Sequence, residues 1–439
     1  MSENFPGYRG QVFKLLKIVG AEIGDVIRVT KDGKSWEGIL IPRSEIGDEY
    51  HIVLKMKSGY NVGVHIDSSA QVEKVGTGCK PTFTPPPLPE QNESLPKVSI
   101  VSTGGTIASR VDYRTGGVRA ALSASDLYSV VPELADIAVV DTEILFSVFS
   151  ENIISKHWIE TAKTVAKHIE KGVAGVVVAH GTDTLGYSAA ALSFALQDLP
   201  VPVIMVASQR SADRPSSDAA TNLVGAVKAA ANAPFAEVVV AMHETTSDTS
   251  IVFHRGTKVR KCHTSRRDTF KSINSSPLAR MEDDTISLLI KNFRKRDSAR
   301  KLKLKPTFEK KVALVKFHPD LNPEIIDCYV EKGYRGIILE GTGLGHVGNY
   351  CLSAIQRAVE KNVIVGMTSQ CIWGRLNMNV YDQGIDLLAA GVVSLDDMLP
   401  ETAFVKLRWA LGQTTKTEEA KRLLTKNVAN ELSPRTLNE

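Results

Sequence analysis

Val98 to Ala108 reads VSIVSTGGTIA, an apolar, β-branched run that ends in Thr-Gly-Gly-Thr. The run predicts a buried strand and its end predicts a site. Two glycines let the backbone turn sharply and let a small molecule come close. The hydroxyls beside free N–H groups offer a nucleophile next to an oxyanion-binding position. A plain strand followed by a tight turn would have the same sequence, so the rest of the chain has to decide.

From Lys97 onward, short apolar runs alternate with helical patterns. The runs at Val98–Val101, Val173–Ala179, Val201–Ala207 and Ala236–Met242 suit a parallel sheet buried on both faces. Ile154, Trp158, Ala162, Val165 and Ile169 recur at three- and four-residue spacing, which predicts a helix capped by Ser155 and ended by Gly172. Further helices are expected through Ser188–Leu196 and Ala219–Ala231. The result is an open α/β domain, whose ligands sit beyond the carboxyl ends of the strands. A second strand end there, AHGTDT at Ala179 to Thr184, adds Asp183, a carboxylate able to orient a hydroxyl or hold a substrate ammonium. Neither strand end has a Walker or GxGxxG spacing, which argues against phosphate cradling.

A third stretch, HRGTKVRKCHTSRRDTFKS at His254 to Ser272, packs Lys258, Arg260, Lys261, Arg266 and Arg267 together. It reads either as a solvated basic loop or as a loop carrying a lysine into the site, where neighbouring cations and partial desolvation make an amine usable as a base.

Outside this domain the grammar changes. Val26, Ile27 and Val29 lead into Lys31-Asp32-Gly33-Lys34, and Trp36, Ile39 and Ile41 follow, which reads as a hairpin. More short strands at Tyr50–Lys57 and Tyr60–Ile66 predict a small all-β barrel. TFTPPPLP at Thr82 to Pro89 is an extended spacer. Ten Lys or Arg residues between Lys291 and Lys311 read as a solvated connector able to meet an RNA backbone. Strands at Val312–Phe317, Gly336–Leu339 and Val363–Met367, with a helix at Leu352–Glu360, then predict a second α/β unit. Phe404, Leu407, Ala410 and Leu411 mark one core-facing stripe of a helix at Thr402–Leu411. The expected layout is a small β-barrel over 1–78, a proline-rich linker over 79–96, an α/β domain over 97–295, a basic linker over 296–311 and a smaller α/β domain over 312–439.

At 439 residues, 43% hydrophobic and 23% charged, the chain can bury several cores. A net charge of +4 is too small to point to nucleic acid by itself. Five scattered cysteines with no CxxC suggest neither a disulfide framework nor a zinc site. With no apolar run of bilayer length and no signal-like segment in Met1–Tyr8, a cytoplasmic location is expected.

TGGTIA at 103–108, HGTDT at 180–184 and RKCHTS at 260–265, in that order on an α/β domain, resemble the bacterial-type asparaginase and glutaminase family from about Lys97 to the C-terminus. The resemblance implies an asparaginase-like two-domain α/β fold, with Thr106 as the acylated nucleophile and Thr182, Asp183 and Lys261 as a second catalytic cluster. It further implies that Ser150 and Glu151, in FSVFSENI, grip the substrate's α-carboxylate and α-ammonium. Glu151 stands where secreted asparaginases carry glutamine, a charge able to alter the choice between asparagine and glutamine. Tyr113 is the nearest match to an assisting tyrosine, but it lies closer to Thr106 than is usual. EGTGLGH at 340–346 corresponds to a region that faces a neighbouring subunit's substrate across a dimer.

The added barrel, RKCHTSRRD and DRPSSDAA at 213–220 look more particularly like the glutaminase subunits of archaeal tRNA-dependent amidotransferases. That resemblance implies glutamine as substrate and no metal or cofactor in this subunit. It also implies a homodimer within a heterotetramer. The partner there is the E-type subunit of the glutamyl-tRNA(Gln) amidotransferase, which uses ATP and Mg to convert Glu-tRNA(Gln) to Gln-tRNA(Gln). A stand-alone cytoplasmic L-asparaginase and a noncatalytic RNA-binding protein are the alternatives.

Overall fold

The computed structural model describes residues 7–43, 48–56, 61–78, 92–104, 109–111, 118–120, 131–210 and 217–436. At the N-terminus, helix α1 (Gly10–Ile18) precedes five antiparallel strands: β1 (Val26–Lys31), β2 (Lys34–Leu40), β3 (His51–Met56), β4 (Asn61–His65) and β5 (Gln71–Gly76). Their order is β4-β3-β2-β1-β5. The expected hairpin pairs Lys31 with Lys34, and Asp32 and Gly33 both take positive φ, 49° and 71°. That left-handed pair matches the twist of the flanking strands. Val12 and Leu16 of α1 close a core with Ile27, Val29, Leu40, Ile52 and Leu54.

The central domain is built on β6 (Lys97–Ser102), β7 (Val139–Ile144), β8 (Gly175–Ala179), β9 (Val203–Val206) and β10 (Val238–His243), all parallel. The antiparallel β11 (Ser250–Arg255), β14 (Ala279–Glu282) and β15 (Thr285–Leu288) extend the sheet, while β12 (Val259–Lys261) and β13 (Phe270–Ser272) form a separate hairpin. The eight-stranded order is β15-β14-β11-β10-β9-β8-β6-β7. Within the parallel part the first strand, β6, lies between the second and the third. Chain direction across the sheet therefore reverses between β6 and β8, opening the crevice where ligands of such sheets bind.

Successive side chains of each strand alternate between two cores. Val98 and Ile100 face the side covered by α4 (Ala219–Asn232), whereas Val101, Val176 and Val178 face α2 (Ser155–Glu170) and α3 (Leu185–Ala195). Helix α2 starts as expected, but Ser155 does not cap it. The N–H of Ile154 donates to His157 Nδ1 at 3.0 Å, and the buried Ser155 hydroxyl accepts from Arg408 at 3.2 Å. Periodicity located the helix, but a residue from a distant helix claimed its polar end.

The C-terminal unit is a four-stranded parallel sheet, β16 (Val312–Lys316), β17 (Gly336–Gly341), β18 (Ile364–Ser369) and β19 (Val393–Ser394), with helices α5 (Glu324–Glu331), α6 (Leu352–Glu360) and α7 (Asp382–Ala389). Helix α8 (Pro400–Gln413) is buried on two sides rather than along one stripe. Val405, Trp409 and Ala410 enter the central core and Ala403, Leu407 and Leu411 the C-terminal one. Trp409 stacks on Phe194 at 5.8 Å between ring centroids.

The basic connector also differs from expectation. Arg296 donates to the carbonyls of Ala174, Ala230 and Ala231, Arg300 to that of Leu199, and Arg294 pairs with Asp198 at 2.7 Å. These acceptors lie at the amino ends of the parallel strands, so three of the cations strap the connector to the face opposite the crevice. Arg296 and Arg300 read as solvated because their partners are backbone carbonyls, which leave no mark in composition.

Lys258, read as part of a basic loop, is buried and pairs with the buried Asp397 of the C-terminal unit at 2.6 Å. Burial pushes its ammonium below the usual lysine range against the pull of Asp397. Removing one member of such a pair strands the other, so Lys258→Met should cost about 3–5 kcal/mol of unfolding free energy. Chemical denaturation measures this directly; a loss within error of zero would show that the pair does not hold the two units together.

Candidate active site

The register of β6 against β8 brings the two glycine-rich motifs side by side. Ser102 is level with Ala179, and the Ala179 carbonyl accepts both the backbone N–H and the hydroxyl of Thr103, each at 2.9 Å. Thr103 is thereby consumed as support for the turn. Gly104 follows with φ +112°, and a Cβ there would stand 2.2 Å from the Val148 carbonyl oxygen, so both conformation and space require glycine. Thr106 and Tyr113 lie outside the described residues.

From β8 the chain runs into Gly181, Thr182, Asp183 and Thr184, which precede the N-terminus of α3. The Thr184 hydroxyl donates to the Ser150 carbonyl at 2.6 Å, and an added Cβ on Gly181 would come 2.8 Å from Ser150 Cβ. These contacts draw the segment after β7 onto the HGTDT turn. Ser150 is buried against the turn, and its neighbour Glu151 is exposed. The N–H groups of Thr182 and Asp183 donate to no acceptor among the described residues. They lie where the positive end of the α3 dipole favours negative charge.

Lys261, at the end of β12, reaches into this turn. Its Nζ lies 2.9 Å from Thr182 Oγ1 and 2.8 Å from Asp183 Oδ1, with its side chain 16% exposed and that of Asp183 65% exposed. The hairpin that carries it is anchored by Arg260, which pairs with Glu401 of α8 at 3.3 Å. Beyond it, within RKCHTSRRD, Arg266 forks onto Asp268, while Arg267 reaches out of the segment to Asp248 at 2.6 Å. Asp248 in turn meets the buried His243, which touches Asn222, which touches Asp218. The tail of DRPSSDAA and the basic loop are thus joined through one polar chain. EGTGLGH ends β17 with Glu340 and Gly341 and then turns, with Gly343 and Gly345 at φ +49° and +104°. Among the described residues no group of three His, Cys, Asp or Glu side chains is placed to hold a metal ion, and no helix is long and apolar enough to cross a membrane.

Two histidines, His180 and His254, carry no functional signal along the chain. Both are buried, and burial pushes their imidazoles down to about 4 and about 3. A folded value below the ordinary 6.5 means that the unfolded chain takes up the proton first as pH falls. Stability from these groups is complete above about pH 6.5 and is lost below it, at about 1.4 kcal/mol per pH unit for each. Urea unfolding at pH 7 and pH 5 should show this fall, reduced by about half in His254→Asn. A flat profile over that interval would contradict it.

The doubly covered sheet, the reversal crevice and the clustered Thr, Asp and Lys define an asparaginase-like two-domain α/β protein. The Asparaginase, N-terminal family matches residues 97–294, the Glutaminase/Asparaginase C-terminal domain 311–424 and the GatD N-terminal domain 21–75. The thermostable L-asparaginase from Thermococcus kodakarensis superposes with a TM-score of 0.69 at 29% identity over 77% of this chain and 100% of that one. L-asparaginase I from Vibrio cholerae gives 0.68 at 28% identity over 77% and 99%. The D-type subunit of glutamyl-tRNA(Gln) amidotransferase from Metallosphaera sedula is 50% identical, covering 98% of this chain and 97% of its own, and that from Methanothermobacter thermautotrophicus is 48% identical over 98% of each. The chain belongs to this family of D-type glutamyl-tRNA(Gln) amidotransferase subunits.

Proposed function

We propose that this chain is the glutamine-hydrolysing subunit of a cytoplasmic glutamyl-tRNA(Gln) amidotransferase. The observation that carries the reading is the meeting of Lys261 with Thr182 and Asp183 beside the Thr103-Gly104 turn. The Thr106 hydroxyl oxygen attacks the side-chain carboxamide of glutamine, and the C–N bond breaks to release ammonia. Water then hydrolyses the glutamyl ester and frees Thr106. Lys261 takes the hydroxyl proton by way of Thr182 and passes it toward the leaving nitrogen, while Asp183 orients the lysine. The N–H groups of Thr182 and Asp183 receive the oxyanion. Ser150 and Glu151 hold the α-carboxylate and α-ammonium.

No metal or cofactor enters this half of the reaction. The ammonia goes to the E-type partner, which uses ATP and Mg to amidate Glu-tRNA(Gln). The subunits form a heterotetramer around a homodimer of this chain, in which the 340–346 turn faces the neighbouring substrate. Ammonia release from glutamine and from asparagine, with and without the E-type partner and Glu-tRNA(Gln), tests the reading. Partner-stimulated glutamine turnover is expected. Strong partner-independent release from asparagine would instead make the chain a stand-alone asparaginase.

A further inference from the structure

We propose that His180 is a positioning residue that sets the direction of the Thr182 N–H in the active-site turn. The inference rests on the amidase reading above and deepens it.

His180 is the histidine of HGTDT and is 2% exposed. Its Nδ1 lies 2.7 Å from the carbonyl oxygen of the next residue, Gly181. A carbonyl only accepts, so the Nδ1–H donates. Nε2 has no hydrogen-bond partner among the described residues, as suits a neutral ring with its one proton on Nδ1. The Gly181 carbonyl and the Thr182 N–H belong to one planar trans peptide and point in opposite directions. Holding the carbonyl toward the imidazole therefore turns the N–H away from it, into the turn that Lys261 enters.

The backbone that carries the ring is held in place. The His180 N–H donates to Val206 of β9 at 3.0 Å, and the ring lines a small internal cavity with Thr103, Trp158, Thr161 and Ser188. On the other side Gly181 is pressed against Ser150. A glycine peptide has little intrinsic preference for one direction, so the imidazole supplies what the backbone lacks. Burial keeps that ring neutral at ordinary pH, so the donor brings no charge into the site.

The test compares His180→Leu, which removes the donor, with His180→Asn, whose amide can donate to the same carbonyl. Glutamine hydrolysis is measured on the full-length chain with the E-type partner and Glu-tRNA(Gln). In His180→Leu, kcat is expected to fall about tenfold or more, a partial form of losing an oxyanion donor. KM should stay within about twofold, and His180→Asn should recover most of kcat. A crystal structure of His180→Leu should show the 181–182 peptide rotated. Wild-type kcat in His180→Leu, equal losses in both variants, or an unrotated peptide would each overturn the proposal. A wild-type complex that releases no ammonia from glutamine would sink the amidase reading instead, and the crystal structure would still judge the peptide.

Discussion

Thr106→Val should abolish ammonia release from glutamine while leaving the chain folded. Valine keeps the β-branched shape and loses only the hydroxyl, so the nucleophile disappears with little change in volume. Loss of an acylated nucleophile costs on the order of 10⁴-fold or more in turnover. On the proposed function ammonia is the only product handed to the partner, so added ammonium salt should restore amidation of Glu-tRNA(Gln) by the complex. Ammonia release by a coupled assay, far-UV circular dichroism and tRNA charging in ammonium together check this. Near-normal release from glutamine by the folded variant would remove Thr106 from the mechanism.

Lys261→Met is expected to lower glutamine turnover on the order of 10³-fold, within the range a positioned acid or base contributes. Its effect on stability should be small. Asp183 is 65% exposed at the side chain, and surface pairs of this kind are worth under about 1 kcal/mol. Lys261→Arg makes the sharper test. A guanidinium can keep the contact with Asp183 but cannot give up its proton, so a lysine that acts as a base should not be replaced by it. Turnover of Lys261→Arg near the wild-type rate would show that only the positive charge matters. Comparison with Lys258→Met separates the two lysines, since the loss there should fall on stability through Asp397.

The site's ingredients were legible along the chain because each motif is local. A strand that ends in Gly-Gly-Thr, or in Gly-Thr-Asp-Thr, places hydroxyls and flexible backbone within a few residues. The period of Trp158, Ala162, Val165 and Ile169 likewise reports a buried helix face, which the structure has, although Ile154 at the start of the stripe is exposed. What stayed illegible depends on which distant group answers a polar side chain. Ser155 resembles a cap until Arg408 is seen to claim it. Arg296 looks solvated until three carbonyls are found beneath it. His180 has no signal of its own, since its role is a contact with the next carbonyl that only a closed interior enforces.

Strand periodicity and the two glycine-rich strand ends at Thr103 and Gly181 by themselves determined an α/β sheet with candidate chemistry at its carboxyl edge. Only the tertiary structure decided that these ends are neighbours, through the placement of β6 between β7 and β8. It also decided that Lys261, rather than the equally basic Lys258 three residues earlier, enters the crevice. The physical reason is that a strand's side chains are set by its own backbone, whereas a lysine goes to whichever carboxylate the folded chain presents. For Lys258 that is the buried Asp397, and for Lys261 it is Asp183 beside the Thr103-Gly104 turn.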